Sequence, residues 1–176
     1  MCIRDRLWTG MLVGAVVAAV LAVLVGIPTL RLRGDYLAIA TLGVSEIIRV
    51  VITNYKTLTN GPQGINAIPK VATWPLVYFF MVVTTIVILN YFYSSAGRAT
   101  YAIEQDEIAA ESMGVNVTKY KVIAFVLGAI TAAIGGALYA GNIGVVTPGD
   151  FTFNKSIDVL IIVVFGGIGS FTGSFV

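Results

Sequence analysis

Histidine is absent from the 176 residues, and cysteine occurs once, as Cys2. Without histidine there is no imidazole to act as a general base or to bind a metal. A lone cysteine can neither close an internal disulfide nor join a thiolate cluster, so no metal site is expected. Charge is scarce as well. Lys, Arg, Asp and Glu make up 11% of the chain, less than half of the roughly 25% of an ordinary soluble domain. So little charge cannot cover a water-facing surface. The net charge of +2 comes without a basic run interleaved with aromatics, which sets nucleic acid aside as a partner. No GxxxxGK[ST] stretch is present, so the chain carries no phosphate loop of that kind and no ATP site built on one.

What is present is apolar. Hydrophobic residues form 57% of the chain, and the mean hydropathy is +0.91. The fold class expected is all-α, a polytopic transmembrane helical bundle in a lipid bilayer. Five spans are expected in this stretch, near residues 7–30, 35–52, 74–93, 122–141 and 156–176. The first is 24 residues without a charge, roughly 36 Å of helix and enough to cross a ~30 Å core. It is longer than a signal-peptide core, and a span is the better reading. The polar MCIRDR at the start is unlike all that follows, and the final Ser174-Phe175-Val176 falls inside an apolar run. An internal fragment of a longer permease-like protein is the expectation, with residues 1–6 a candidate non-native leader.

Small residues recur at four-residue steps: Gly10, Gly14 and Ala18 in the first span, and Gly128, Ala132, Gly136 and Ala140 in the fourth. Both rows are expected to seat close helix neighbours. Trp74 and Tyr78 at one end of the third span, with Tyr91 and Tyr93 at the other, form an aromatic belt at both interfaces. Residues 53–73, with Asn60-Gly61-Pro62-Gln63-Gly64 and Pro69, read as a connector rather than a binding loop. Residues 142–155 form a second loop, turning at Thr147-Pro148-Gly149-Asp150. Gly166-Gly167-Ile168-Gly169-Ser170 suits either close packing or a break in the fifth helix.

The second span carries Ser45, Glu46 and Arg49. Glu46 and Arg49, at i and i+3, share a face and can pair. Together with Asp158, placed in the first turn of the fifth helix, they are the candidate polar residues of a translocation path. A buried structural pair, or charges reaching for the interface, fits the same pattern.

The one long polar run is GRATYAIEQDEIAAESMGVNVTKYK, residues 97–121, which holds seven of the twenty charged residues (11 basic plus 9 acidic). Helix formers fill Arg98 to Met113. Gly114 suits the stop and Asn116 the cap of the next helix. Glu107, Ala110, Glu111 and Gly114 fall on one face at three- and four-residue steps. Ala109, Ala110 and Gly114 remove bulk, so a partner could approach closely while the carboxylates set register. A solvated helix without a partner is the bland alternative. Paired carboxylates could suggest acid–base catalysis, but no apolar pocket surrounds them, and no enzymatic role is expected. Basic residues favour residues 94–121 on the cytoplasmic side. Arg31, Arg33, Arg98, Lys119 and Lys121 lie there, against Lys56, Lys70 and Lys155 opposite.

This run resembles the EAA loop of ABC-importer permeases, Glu-Ala-Ala, three residues, then Gly. Ala109, Ala110 and Gly114 match. Ile108 stands where the glutamate would be, with Glu107 one residue earlier, and the trailing hydrophobic-Leu-Pro element is missing. The phrases RLRGDYLAIATLGVSEIIR, LTNGPQGI, DEIAAESMGVNVTKYKVIAF and TPGDFTFNKSIDVLIIVVFGGIGS extend the likeness across nearly the whole chain. They resemble the LivM-type permeases of branched-chain amino acid ABC importers. The resemblance implies a multi-pass subunit of the bacterial plasma (inner) membrane that does no bond chemistry and holds no cofactor, ATP being bound by the partner ATPase. It implies a homologous permease subunit, two ABC ATPase subunits and a periplasmic solute-binding protein as partners. Ala109, Ala110, Glu111 and Gly114 would lie in the ATPase-docking coupling helix. Similar permeases serve urea and amides. The other class that the residues allow is an ion- or proton-coupled secondary transporter or channel, using Glu46, Arg49 and Asp158 as a relay. A membrane scaffold without transport fits the composition too.

Overall fold

Long apolar runs broken by capping residues produce an almost wholly helical chain. The computed structural model describes residues 2–30, 35–54, 61–65, 68 and 72–166. Among them are seven α-helices: α1 (Cys2–Thr29), α2 (Asp35–Asn54), α3 (Trp74–Tyr93), α4 (Ser95–Gln105), α5 (Glu107–Ser112), α6 (Val117–Ile143) and α7 (Phe153–Phe165). Two short 3-10 turns, Gly61–Gln63 and Pro148–Asp150, and one isolated antiparallel bridge between Ile65 and Val146 complete the regular structure. No strand occurs among the described residues, in keeping with the all-α helical membrane bundle expected. The chain divides into two compact units, Met1–Ala38 with Ile68–Gly144, and Ile39–Ala67 with Val145–Val176.

The first unit is built on α1, α3 and α6. Residues Trp8–Thr29, Trp74–Tyr93 and Val117–Ile143 are long and apolar enough to cross a membrane. α1 packs most extensively against α6, and the two run antiparallel. Met11 of α1 clusters with Phe80 of α3 and Leu138 near the end of α6, whereas Gly26 lies against Phe125 near its start. The Trp8 ring adds to this cluster, its centroid 5.5 Å from that of Phe80. Little else is buried. Leu12, Val16, Leu24, Phe79 and Val82 are all more than half exposed, and apolar residues lie on every side of α3. In water that surface would be penalised by about 25 cal/mol per Å²; against lipid it is not.

Among the described residues the small-residue rows have no close neighbour at most of their glycines. A Cβ added at Gly10, Gly14, Gly128 or Gly136 would meet nothing within 4 Å. The close approach is at Gly26, where the Phe125 ring would lie 3.2 Å from such an atom. A row at i, i+4 drifts about 40° per step round a helix of 3.6 residues per turn. The row that faces α6 at Ala22 and Gly26 has therefore turned outward by Gly10. Spacing alone does not carry that phase.

Segment two is helical as α2, over 20 residues. α6 starts at Val117, capped by Asn116 as expected, ahead of the span's own expected start at 122. α7 starts at Phe153, so Asp158 falls in its second turn and not its first. The rest of the fifth span, from Gly167 on, lies outside the described residues, as do Arg31, Arg33, Lys56, Lys70, Asn60 and Pro69.

In the second unit the two loops pair with each other. Ile65 and Val146 exchange amide–carbonyl hydrogen bonds of 3.0 and 3.1 Å. Gly64 makes this possible. Its φ of +67° is in the left-handed region, and a Cβ there would sit 2.2 Å from the Val146 carbonyl oxygen. The Thr147–Asp150 turn closes as expected. The Asp150 carboxylate accepts from the Thr147 amide at 3.0 Å and from its hydroxyl at 2.9 Å.

Candidate functional site

The polar run forms a compact helical hairpin on the first unit. It sits at the end of the unit where α6 begins, and Gly26 and Leu30 place the end of α1 there too. α3 ends at Ser94, whose extended backbone turns the chain (φ −74°, ψ 167°). The Ser94 hydroxyl accepts from the Gly97 amide at 3.2 Å and donates to the Tyr91 carbonyl at 2.6 Å. Gly97 is required by close approach, since a Cβ would lie 2.2 Å from the Tyr91 carbonyl oxygen. The Tyr91 hydroxyl and the Thr100 hydroxyl, 2.7 Å apart, fasten α4 back onto α3.

A single helix from Arg98 to Met113 is not what forms. Asp106 is extended (φ −154°, ψ 108°) and divides the run into α4 and α5. Its carboxylate accepts from the amides of Ile108 at 2.9 Å and Ala109 at 3.0 Å. Those bonds satisfy two donors that a helix start leaves open. The flanking helix formers masked this N-cap, although an Asp directly before Glu-Ile-Ala-Ala is the signal for one. α5 ends as expected at Gly114, with φ +81°. The Val115 amide donates to the Ala110 carbonyl and the Gly114 amide to that of Glu111, at 3.1 and 3.0 Å, a Schellman closure. Two residues on, the Asn116 side chain accepts from the Lys119 amide at 3.1 Å and starts α6.

The structure separates the five candidate docking residues. Ala110 is buried by the chain itself at 5% exposure. Glu107 faces inward, its carboxylate accepting from the Lys121 ammonium at 2.8 Å and tying α5 to α6. Ala109, Glu111 and Gly114 are exposed. Beside them stand Ile108 and Met113, at 67% and 84% exposure, which reading the sequence did not single out. Ile108 in α5 and Met113 at its C-cap thus both stand exposed, with the Glu111 carboxylate also outward.

The second place of interest lies wholly within the second unit. It is a cavity of about 420 Å³ entered by Ser45, Glu46 and Arg49 of α2. Arg49 Nε lies 3.0 Å from both Glu46 carboxylate oxygens, and its terminal nitrogen also contacts one of them. Pairing at i, i+3 was legible in the spacing. The cavity's remaining walls were not, because Ile65, Val146, Thr147, Phe153 and Ser156 come from two distant loops and the start of α7. Asp158 is exposed and does not line it.

Comparison with known proteins fits this arrangement. Residues 1–176 match the family described as branched-chain amino acid transport system / permease component. The chain is 36% identical to the high-affinity branched-chain amino acid transport system permease protein LivM of Salmonella typhimurium and of Escherichia coli, over 93% of this chain and 46% of each relative. It is 28% identical to the permease protein LivH of Escherichia coli, over 78% of this chain and 49% of that one. A fructose import permease protein, FrcC of Rhizobium meliloti, is 38% identical over 44% of this chain and 23% of its own length. The chain spans about half the length of the first of these relatives. No solved structure matches. Transport permeases carry out no bond chemistry, and three membrane-length apolar helices with a polar hairpin suit that role. The chain belongs to the family of permease components of branched-chain amino acid transport systems.

Proposed function

We propose that this chain is part of the transmembrane permease subunit of an ATP-driven, binding-protein-dependent importer for branched-chain amino acids in the bacterial plasma (inner) membrane. A homologous permease subunit completes the path. Two ABC ATPase subunits bind the ATP, this chain needing no cofactor of its own, and a periplasmic solute-binding protein delivers the solute. The observation that carries the reading is the outward edge of α5. Ile108 stands exposed on a six-residue helix and Met113 at its C-cap, and the helix is closed at both ends and tied to α6 by the Glu107–Lys121 pair. Exposed apolar residues on a polar hairpin leave a surface suited to a protein partner. A push on so short and well-capped a rod passes through the ion pair and the packed Ala110 into α6, a rigid-body stroke.

The test is recovery of the ATPase with tagged full-length permease. Ile108→Asp with Met113→Asp places two charges at exposed positions. It should cut ATPase recovery about tenfold or more, as loss of contact residues does, while membrane insertion stays intact. Undiminished recovery would refute docking by this edge. Leucine uptake that persists after deletion of the ATPase would favour a gradient-driven carrier instead.

A further inference from the structure

We infer that Met113 is a reversible oxidation site, through which hydrogen peroxide weakens docking of the ATPase subunit. The inference rests on the docking reading and deepens it by naming a modification that regulates the same contact.

Methionine is scarce and unevenly placed. The chain has four, of which Met1 lies outside the described residues. Met11 is buried in the cluster with Phe80 and Leu138. Met81 is partly exposed, but it belongs to α3, one of the helices long and apolar enough to cross a membrane. Its thioether therefore faces lipid and not water. Met113 alone of the described methionines lies in the polar hairpin, and it is 84% exposed. Residues 97–121 hold no other sulfur. The one thiol, Cys2, opens α1 at the opposite end of the first unit. A water-borne oxidant that reaches the hairpin thus meets a single sulfur.

The reaction asks only for access. The thioether sulfur donates a lone pair to one peroxide oxygen and the O–O bond breaks. The other oxygen leaves as hydroxide and takes the proton of the first to become water. Sulfur is oxidised to the sulfoxide and the peroxide is reduced. A neutral oxidant is favoured at this place, because Asp106, Glu107 and Glu111 repel an anionic one such as hypochlorite.

The consequence falls on the docked state and not on the fold. The Met113 amide donates to the carbonyls of Ala109 and Ala110, both at 3.2 Å. Gly114 closes the turn behind it with φ +81°. That closure is made by main-chain atoms, so a sulfoxide on the free hairpin faces water and leaves α5 intact. Under the ATPase the same S=O dipole is covered, and a covered acceptor without a donor is destabilising. Oxidation therefore acts through the bound state. Reductases specific for each sulfoxide epimer return the residue to methionine, which makes the change a switch rather than a lesion. Docking in turn shields the sulfur, so the permease is sensitive before assembly and protected after it.

The experiment uses tagged full-length permease in lipid nanodiscs. It is treated with hydrogen peroxide, quenched with catalase, and only then mixed with the ATPase, so that no ATPase sulfur is oxidised. Peptide mass spectrometry should show one added oxygen at Met113 about tenfold faster than at Met81 or Met11, in line with exposure. ATPase recovery should fall about tenfold as Met113 is converted, and return after incubation with methionine sulfoxide reductases A and B. Met113→Leu is compared with itself, and its recovery before and after peroxide should be equal. In the preassembled complex Met113 should oxidise about tenfold more slowly than in the free permease. Three results would each overturn the inference: Met81 or Met11 oxidising as fast as Met113, recovery undiminished with Met113 fully oxidised, or the same loss in Met113→Leu. The oxidation series on the unmodified permease decides the matter even if that variant fails to assemble. Recovery that survives oxidation leaves the importer reading standing, whereas no recovery from untreated permease ends both.

Discussion

Two amide hydrogens held by one carboxylate are enough to break a run of good helix formers. At Asp106 they do so, with bonds of 2.9 and 3.0 Å to Ile108 and Ala109. Asp106→Ala removes both and should destabilise the hairpin by about 1 kcal/mol. The expected readout is faster amide exchange at Ile108 and Ala109, with Asp106→Asn restoring most of the protection. At Gly97 the constraint is steric. An added methyl would fall 2.2 and 2.6 Å from the carbonyl oxygens of Tyr91 and Phe92, so Gly97→Ala must shift the backbone where α4 leaves α3. Proteolysis within residues 94–121 should rise in that variant. Asp150 makes a pH-dependent contact. The Thr147 amide first, then the Thr147 hydroxyl, hold its carboxyl below the ordinary carboxylate value. Because the folded value is the lower one, the contribution is present above the unfolded pKa of about 4 and is lost as pH falls through the folded value. The protection factor of the Thr147 amide, its exchange rate compared with that of an unstructured peptide at each pH, should fall only below the ordinary carboxylate range.

Among the helices, α5 is the one whose two sides have separate uses. Its inner side holds Ala110 and the Glu107–Lys121 pair, and its outer side holds Ile108 and Met113. Lys121→Met cuts the tie to α6 while keeping the stem. A pair this partly exposed is worth about 0.5–1 kcal/mol, so folding should survive, while transport coupled to ATP hydrolysis should fall. ATP hydrolysis and uptake measured together on the reconstituted importer would reveal that uncoupling. The end of α5 and the start of α6 show what is local enough to read from sequence, whereas the Asp106 cap at the start of α5 was hidden among helix formers. Gly114 and Asn116 act on amides within three residues of themselves, and their roles follow from residue type. Trp74–Tyr93 was equally legible, as an uninterrupted apolar run. The face of α5 was not, because helical steps give the grouping of residues but not which group turns inward; Lys121, fourteen positions after Glu107, decides that. The glycine rows gave spacing without a partner, and among the described residues the close approach is at Gly26 and not at Gly10 or Gly14. Ile65 and Val146 pair across eighty residues of sequence, beyond the reach of any local pattern.

Across the whole molecule, solvent decides what the residues and helices can do. Six buried apolar side chains among the described residues cannot hold so long a chain together in water, and the exposed Leu, Val and Ile of α1, α3 and α6 call for an apolar surrounding. Transfer from bilayer to aqueous buffer without detergent should therefore aggregate the chain rather than unfold it, as light scattering would record. In that setting the hairpin is the part of the first unit polar enough to meet a soluble subunit. The direct measurement is site-specific photo-crosslinking in the complete importer within its native membrane, from a photoreactive residue placed at 108, 110 or 113 in turn. Adducts with the ATPase subunit from positions 108 and 113, and none from the buried position 110, are the predicted result. Adducts from 108 and 113 with the periplasmic binding protein instead, or labelling of those positions by a reagent confined to the outer side, would contradict the account.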